Sequence, residues 1–403
     1  MSEKNDNKVP NVPNLRFSSF SNEWTPSLLK DSASFYKGTG ISKEELSEEG
    51  HPCILYGELY TTYKIEKIDA VKSKTNVSTE KLVKSKANDV IIPASGETPI
   101  DIATACCVLD DDILLGGDLN IIRIKNHNGV FLSCQLNGKR KLDIAKIAQG
   151  ASIVHLHNDD LKKLKCYFPK TLCEEEKIVT FLSKIDQRIE TQSKIIEDLI
   201  LEKNITSDKI FSQTPICKNS LSSFYKNGKA GGTPKSTNKS YYGGDIPFLS
   251  ISDMTEQGKY LYSTQKTLTK EGLENSTAWV VPKDSLILSM YASVGQVAIN
   301  KIPLATSQAM FSMTIIDKND LVFLYYFLSY FRENKLHKYL ETGTQSNINA
   351  DFVKSIEIPD YGAVKNEQIV TLLSLLDERI QKEKDILSLY KKQKAYLLNN
   401  MFI

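Results

Sequence analysis

Two long stretches of the chain carry apolar residues at alternating spacings of three and four positions. This spacing predicts amphipathic helices whose apolar sides meet in a coiled coil. We expect the first helix over residues 174–212 and the second over residues 365–403. The predicted contact residues are Ile178, Leu182, Ile185 and Ile189 in the first helix, and Ile369, Leu373, Leu376 and Ile380 in the second.

A polar residue interrupts the apolar series at the same place in each helix. These residues are Gln192 and Glu383. A polar side chain at such a position can fix the register of a helix pair. It can equally be a tolerated exposed position, and the sequence leaves both interpretations open.

The two helices are copies of one sequence. Residues 176–190 read EKIVTFLSKIDQRIE and residues 367–381 read EQIVTLLSLLDERIQ, with identities at polar as well as apolar positions. The segment SFYK at 34–37 recurs at 223–226. A fixed period of this kind indicates a duplicated unit. We predict globular domains at 1–173 and 213–364, each followed by one of the helices at 174–212 and 365–403.

The segments before the helices show short β-type runs bounded by turn residues, and one helical pattern over 320–340. They predict a mixed α/β (α+β) fold in each repeat. The clearest predicted strands lie at 90–93, 113–117, 121–124, 248–251 and 285–289.

The charges of the two helices differ in sign. Residues 174–212 hold six basic and nine acidic side chains, and residues 365–403 hold seven basic and five acidic ones. Opposite net charges favour pairing of the two helices within the chain. Because a whole globular part lies between them, an antiparallel return is the simplest geometry. The alternative is that each helix packs on its own domain or on another subunit.

Composition limits the class of protein. The 403 residues have a formal net charge of +2, which neither indicates nor excludes a nucleic-acid partner. Residues 1–10 lack the apolar core of a signal peptide, and the longest apolar run is shorter than the roughly 20 residues that span a bilayer. Six of the seven cysteines precede residue 200, which fits free thiols in a cytoplasmic protein better than a disulfide framework.

The sequence lacks the common signatures of catalysis. It has no Walker phosphate loop, no complete dinucleotide-binding glycine motif, no amino-methylase tetrapeptide and no nuclease carboxylate motif. His155 and His157 with Cys166 and Cys173 could hold a metal, but zinc ligands usually come in tighter pairs. We therefore predict no catalytic residue and no metal site.

Basic stretches without matching acids favour DNA binding. Residues 218–244 contain five lysines and no acid, together with several glycines, and residues 64–86 contain seven lysines and three acids. Lysines neutralise phosphates, and glycines let the backbone approach them. The ordinary alternative for each stretch is a solvated lysine-rich loop. We expect the two stretches to lie at roughly corresponding places in the two repeats, which favours DNA binding. The candidate phosphate contacts are Lys64, Lys72 and Lys74 in the first repeat, and Lys229, Thr233 and Lys235 in the second.

Two loops that follow predicted strands carry side chains able to pair with base edges. The alternative is a corner whose polar groups are satisfied within the protein. The candidate base-reading residues are Ser95, Glu97 and Thr98 in the first repeat, and Ser289, Tyr291, Ser293 and Gln296 in the second.

Two globular parts, each followed by a matching coiled-coil helix, resemble the specificity subunit of type I restriction–modification enzymes. The resemblance covers essentially the whole chain. It rests on the two helix motifs, on Pro247-Phe248-Leu249-Ser250 with Asp253, on residues 289–295, and on Val12-Pro13-Asn14-Leu15-Arg16-Phe17 with Trp24.

The resemblance implies a non-catalytic DNA-recognition subunit. Each globular domain would read half of a bipartite site on double-stranded DNA, and the helices would set the spacing. They would also dock modification subunits, of which we expect two, that carry S-adenosylmethionine. Restriction subunits of the full complex would carry ATP and Mg²⁺, and this chain would bind none of these cofactors. The alternative from another class is a DNA-independent coiled-coil scaffold with two ligand-binding domains.

Overall fold

The computed structural model describes residues 10–63, 66–150, 153–340 and 347–403. The chain folds into two compact units. Unit 1 comprises residues 1–193 and 385–403, and unit 2 comprises residues 194–384. Each unit therefore contains one globular part and a portion of both long helices. The predicted division into two target domains and two spacer helices describes roles rather than compactness, and it stays a prediction.

Unit 1 has short strands and helices around a mixed sheet. Its strands are β1 (Thr25–Leu28), β2 (Ala33–Lys37), β3 (Leu46–Ser47), β4 (His51–Ile54), β5 (Lys67–Ile68), β6 (Ser73–Thr75), β7 (Val83–Lys84), β8 (Asp89–Pro93), β9 (Ser95–Gly96), β10 (Cys106–Val108), β11 (Leu114–Leu115), β12 (Leu119–Ile124), β13 (Val154–His155) and β14 (Lys165–Phe168). Its helices are α1 (Leu29–Ser32), α2 (Pro99–Ile102), α3 (Gly129–Asn137), α4 (Lys141–Ile147), α5 (Asn158–Leu161) and the first part of α6 (Leu172–Phe211).

Unit 2 contains the remaining elements. Its strands are β15 (Cys217–Ser220), β16 (Tyr225–Ala230), β17 (Tyr242–Leu249), β18 (Tyr260–Leu261), β19 (Lys266–Leu268), β20 (Val280–Val281), β21 (Leu286–Ser289), β22 (Val297–Asn300), β23 (Leu304–Thr306), β24 (Met310–Ile315) and β25 (Glu357–Asp360). Its helices are α7 (Ile251–Gln257), α8 (Lys270–Glu274), α9 (Lys318–Asn334), α10 (His337–Leu340), α11 (Ala350–Ser355) and the first part of α12 (Ala363–Asn400), which ends in unit 1.

The duplication extends to sheet topology. The main sheet of each unit has five strands, in the order β2-β12-β8-β10-β5 in unit 1 and β16-β24-β21-β22-β18 in unit 2. Each unit also has a second sheet, in which the strand order β6-β4-β11-β7 of unit 1 corresponds to β19-β17-β23-β20 of unit 2. The antiparallel pair β1–β14 corresponds to β15–β25. The predicted α/β repeat is confirmed for these strands, whereas β3, β9 and β13 have no counterpart in the described part of unit 2.

The central strands β8 and β21 explain why these sheets form. Both are buried along their whole length, as expected of apolar runs covered on both faces. The five predicted strands are present as β8, β11, β12, β17 and β21. The predicted helix over 320–340 is wrong at its end, since α9 stops at Asn334, a weak helix former, before the short α10.

The two long helices lie antiparallel in each unit. In unit 2, Lys365 near the start of α12 bonds Gln213, just after α6, and Asp377 further along α12 pairs with the earlier Lys203. In unit 1 the late α12 residue Lys394 pairs with the early α6 residue Asp186. The predicted antiparallel helices are therefore confirmed. With 40 residues, α6 reaches about 60 Å.

The helices also pack on the globular parts. Ile178, Leu182 and Ile185 of α6 belong to the same unit 1 core as Trp24 and Phe131. That core also contains Leu397, Leu398, Met401 and Phe402 from the end of the chain. Ile369 and Leu373 of α12 lie in the main core of unit 2. The two packing modes weighed as alternatives thus coexist. Among the helices of the described ranges, none is both long and apolar enough to cross a membrane.

Candidate nucleic-acid interface

Three segments of unit 2 meet at one end of its main sheet: residues 231–233, 289–296 and 306–309. We call them the loop edge of unit 2. Backbone hydrogen bonds join them, because Gly232 N donates to Thr306 O at 2.9 Å and Met290 N donates to Ala309 O at 2.7 Å. A side chain at Gly231 would have its Cβ only 2.0 Å from Thr306 O, so this close approach requires glycine.

The predicted residues of unit 2 divide between the loop interior and its surface. Ser289 is fully buried, and its hydroxyl donates to Ala292 O at 2.8 Å. Tyr291 and Ser293 are exposed. Gln296 is half-buried and accepts a 3.4 Å hydrogen bond from the Thr255 hydroxyl. The exposed tip can therefore meet a ligand, whereas Ser289 shapes the loop.

The predicted phosphate contacts of unit 2 adjoin the same edge. The exposed Thr233 donates its hydroxyl proton to Gln308 Oε1. Lys229 lies on β16, with its Nζ 5.2 Å from the centre of the Trp279 ring, and Lys235 is exposed beyond Thr233. Gln308 is an exposed amide at the edge that the sequence did not single out, since a lone Gln in a turn gives no signal.

The loop edge of unit 1 repeats this construction with residues 38–40, 93–98 and 115–118. Ala94 N donates to Asp118 O at 2.7 Å, matching Met290 to Ala309, and Gly38 N donates to Leu119 O, matching Gly231 to Met310. Segment 38–40 was not singled out from the sequence, because Gly38-Thr39-Gly40 is only part of a dinucleotide-binding glycine motif. The signal was available, since the repeated SFYK precedes both 38–40 and the corresponding segment of unit 2.

The predicted DNA-contacting residues of unit 1 do not all lie at its loop edge. Ser95 is buried and donates to Asp118 Oδ2 at 3.0 Å, Glu97 is exposed, and Thr98 caps the N-terminus of α2 by accepting from Asp101 N. Lys74 lies on β6 of the second sheet, Lys72 directly precedes that strand, and both are exposed. Lys64 lies outside the described residues.

The two basic stretches do not occupy corresponding places, contrary to our expectation. Residues 64–86 carry β5, β6 and β7, whose counterparts in unit 2 are β18, β19 and β20. Residues 218–244 instead carry β16 and the start of β17, the counterparts of β2 and β4. The two stretches therefore carry strands at different positions of the sheets, which a count of lysines in the sequence cannot show.

The histidines and cysteines considered as metal ligands do not form a common site within the described ranges. Cys166 is fully buried in the unit 1 core, whereas His155 and His157 are exposed. A metal site that used both histidines would need its other ligands at the surface. Over 10–63, 66–150, 153–340 and 347–403, no group of three or more His, Cys, Asp or Glu could hold a metal ion.

The predicted helix contacts are buried or half-buried. Ile178, Leu182, Ile185, Ile369, Leu373 and Ile380 are buried, and Ile189 and Leu376 are half-buried. Of the two polar interruptions, Gln192 is 7% exposed and Glu383 is half-buried. Neither is an exposed position, so that interpretation is wrong.

Comparison with known proteins identifies the repeated domain. Residues 220–389 match the family model described as the type I restriction modification DNA specificity domain. The second repeat of this chain is therefore similar to a type I restriction modification DNA specificity domain.

Curated relatives agree with this assignment. The type I restriction enzyme MjaIX specificity subunit of Methanocaldococcus jannaschii is 30% identical over 181 residues, which are 43% of this chain and 40% of that protein. The HindI specificity subunit of Haemophilus influenzae is 32% identical over 133 residues, or 32% of this chain and 28% of that protein. The matched region spans less than half of each relative.

Solved structures show the same fold over nearly the whole chain. The S subunit of a type I system from M. genitalium gives a TM-score of 0.57 at 17% identity, covering 97% of this chain and 99% of that one. A chain from a structure of type I system assembly and conformational transition gives 0.62 at 14% identity, covering 93% and 96%. This specificity-subunit fold is thus shared by both repeats.

Proposed function

We propose that this chain is the DNA sequence-specificity subunit of a type I restriction–modification complex. Each loop edge reads one half of a bipartite site on double-stranded DNA. The observation that carries the proposal is the same loop edge built twice, by equivalent backbone hydrogen bonds, in a chain whose second repeat matches a DNA specificity domain.

Exposed hydrogen-bonding groups at the edges suit base reading. Tyr291, Thr233 and Gln308 in unit 2, and Glu97 in unit 1, reach solvent beside a fixed backbone. Side-chain donors and acceptors of this kind discriminate base edges in the major groove. Neighbouring lysines contribute the salt-dependent part of the affinity, which does not depend on sequence.

The long helices suit a second role, the docking of modification subunits. Apolar side chains stay exposed along them: Ile205 and Leu201 on α6, and Leu375, Leu389 and Tyr396 on α12. Exposed apolar patches commonly mark interfaces. We propose that these residues contact two modification subunits, which bind S-adenosylmethionine, while restriction subunits bring ATP and Mg²⁺. The chain itself is non-catalytic and acts in the cytoplasm.

Salt dependence and sequence selection test the proposal. The chain, assembled with its modification subunits, is mixed with a random duplex library, and bound DNA is sequenced at several salt concentrations. We expect a bipartite motif, with log K falling against log[salt] by roughly 0.9 per phosphate contacted. Binding with no sequence preference would overturn the specificity role. Absence of salt-dependent duplex binding would favour the scaffold alternative.

A further inference from the structure

A largely buried ion cluster joins the globular part of unit 1 to both helices. Lys394 of α12 bonds the carboxylate of Glu66 and lies 2.6 Å from Asp186 Oδ1 of α6. The side chains of Lys394, Glu66 and Asp186 are 13%, 7% and 24% exposed. Burial acts to lower the pKa of Lys394, but the two carboxylates outweigh it and hold that pKa above its ordinary value.

Unit 2 has a matching cluster of opposite overall charge. Asp377 of α12 pairs with Lys203 of α6 at 2.6 Å and with Lys259 of the globular part at 3.4 Å. The Tyr326 hydroxyl donates to Asp377 Oδ2 at 2.7 Å and accepts a 2.6 Å hydrogen bond from Lys259 Nζ. Burial lowers the pKa of Lys259, and Asp377 opposes that shift.

The helix residues of the two clusters are copies of each other. Asp377 repeats Asp186, and Lys394 repeats Lys203, at the same spacing that separates the two copies of the helix motif. Because the helices are antiparallel, the aspartate of one copy meets the lysine of the other in both units. Each unit therefore contains one Asp–Lys pair, which we call its helix pair site.

The residues contributed by the globular parts are also equivalent, but they differ in charge. Glu66 directly precedes β5, and Lys259 directly precedes β18, the last strand of the corresponding sheet. Their carbonyls accept equivalent backbone hydrogen bonds, from Cys107 N at 2.9 Å and from Ile299 N at 2.8 Å. One position thus holds an acid in unit 1 and a base in unit 2.

We propose that each helix pair site is a two-sign anchor that holds the globular part of its own unit on the helices, with Glu66 and Lys259 as the positioning residues. An Asp–Lys pair offers a partner to either sign: Glu66 uses the lysine, and Lys259 uses the aspartate. A charge placed there remains compensated whichever sign it has. An apolar side chain leaves the pair with one partner fewer and frees the globular part to shift.

The anchor makes an unusual prediction about charge reversal. Glu66→Lys should keep the Tm of unit 1 within about 2 °C of wild type, because Asp186 replaces Lys394 as the partner. Lys394→Glu should lower that Tm by roughly 6–12 °C, because three acids then share a buried site. Adding Asp186→Lys to Lys394→Glu should recover most of the loss. In a Trp279→Phe background of the full chain, fluorescence of Trp24, which is buried in unit 1, reports the transition.

A second readout separates positioning from stability, and it rests on the proposed function. The assembled complex methylates duplexes whose half-site separation differs by single base pairs. Wild type and Glu66→Lys should share one optimal separation, whereas Glu66→Leu should accept neighbouring separations and lose about 3–6 °C in Tm. Glu44→Leu, at an exposed position of unit 1, is the matched control and should change neither.

Each outcome decides the proposal. A Glu66→Lys Tm as low as that of Lys394→Glu would overturn it, as would a Glu66→Leu variant that keeps both Tm and separation preference. If Glu66→Leu lowers methylation equally at every separation, the cluster is structural only and the positioning role fails. A complex with no sequence preference at all would refute the proposed function, and the Tm comparison would still decide whether the anchor exists.

Discussion

Phe402, two residues beyond the end of α12, provides the most direct test of how unit 1 is held together. Its side chain is 1% exposed in the main core of unit 1. The ring centre lies 5.1 Å from that of Phe131 and 6.2 Å from that of Trp24. Replacing Phe402 by alanine removes a whole aromatic ring from a site closed on several sides.

The expected loss follows from that burial. Phe→Ala changes in cores cost about 3–5 kcal/mol, which combines the lost transfer free energy with the cavity that remains. For a unit of roughly 200 residues, each kcal/mol lowers Tm by about 2–4 °C. We therefore expect the Tm of unit 1 to fall by about 8–16 °C in Phe402→Ala, taking the middle of the range, about 4 kcal/mol.

The chain offers its own probes for this measurement. Its two tryptophans lie in different units, Trp24 in unit 1 and Trp279 in unit 2. A Trp279→Phe background leaves Trp24 as the sole indole reporter. Within the described residues, the buried Trp279 N–H has no hydrogen-bond partner, so this background change removes no hydrogen bond.

A matched control lies in the last part of α12, close to Phe402 in the chain. Tyr396→Ala removes an aromatic ring that is 59% exposed, and it should shift the Trp24 transition by no more than about 2 °C. A shift below about 2 °C in Phe402→Ala would refute the packing argument. Equal shifts in the two variants would refute it too, because burial is the only reason to expect a difference.

Three further outcomes are expected. Deleting seven residues from α6 in the assembled complex should change the preferred half-site separation or abolish assembly, and unchanged separation with full methylation would contradict a spacing role. Tyr291→Ala should weaken specific duplex binding without changing Tm, whereas Ser289→Ala should lower Tm because Ala292 O loses its buried donor. A lower Tm in Tyr291→Ala, together with weaker binding but an unchanged Tm in Ser289→Ala, would show that the loop is oriented differently. A thiol reagent should label the exposed Cys173 and Cys217 quickly in the native chain, and the five buried cysteines only after unfolding. Burial raises the pKa of Cys107 and Cys166 to about 12, which keeps these thiols unreactive. Labelling of more than two thiols in the native chain would contradict this burial.

The repeat and the helices could be predicted because both leave a periodic trace. Apolar spacing located α6 and α12 to within two residues at their starts, and the copied motif indicated equivalent units. The same repeat held an unused signal, since Lys203 and Lys394 are copies just as Asp186 and Asp377 are. Combined with an antiparallel pair, those copies imply two reciprocal ion pairs.

The loop edges were harder to predict, because burial rather than residue type decides which side chains reach solvent. Ser95 and Ser289 look like Ser293 in sequence, yet only Ser293 is exposed. Glu66 and Lys259 also gave no signal, since opposite charges at equivalent positions look unrelated until the strands β5 and β18 are matched. The sequence therefore predicted the repeated fold better than it predicted which side chains reach solvent or form the ion clusters.

The two units share a scaffold but place their positive charge differently, and this has a consequence for the DNA they would read. In unit 2 the lysines of 218–244 accompany β16, which leads into the loop edge, whereas in unit 1 Lys72 and Lys74 lie directly before and on β6 of the second sheet. Phosphate contacts fix the orientation of a protein on the duplex, and base contacts then specify sequence. Two equivalent edges with unequal lysine placement should therefore contact flanking duplex of different length on the two sides of the site. Equal footprints on both sides of the bipartite site would contradict this inference.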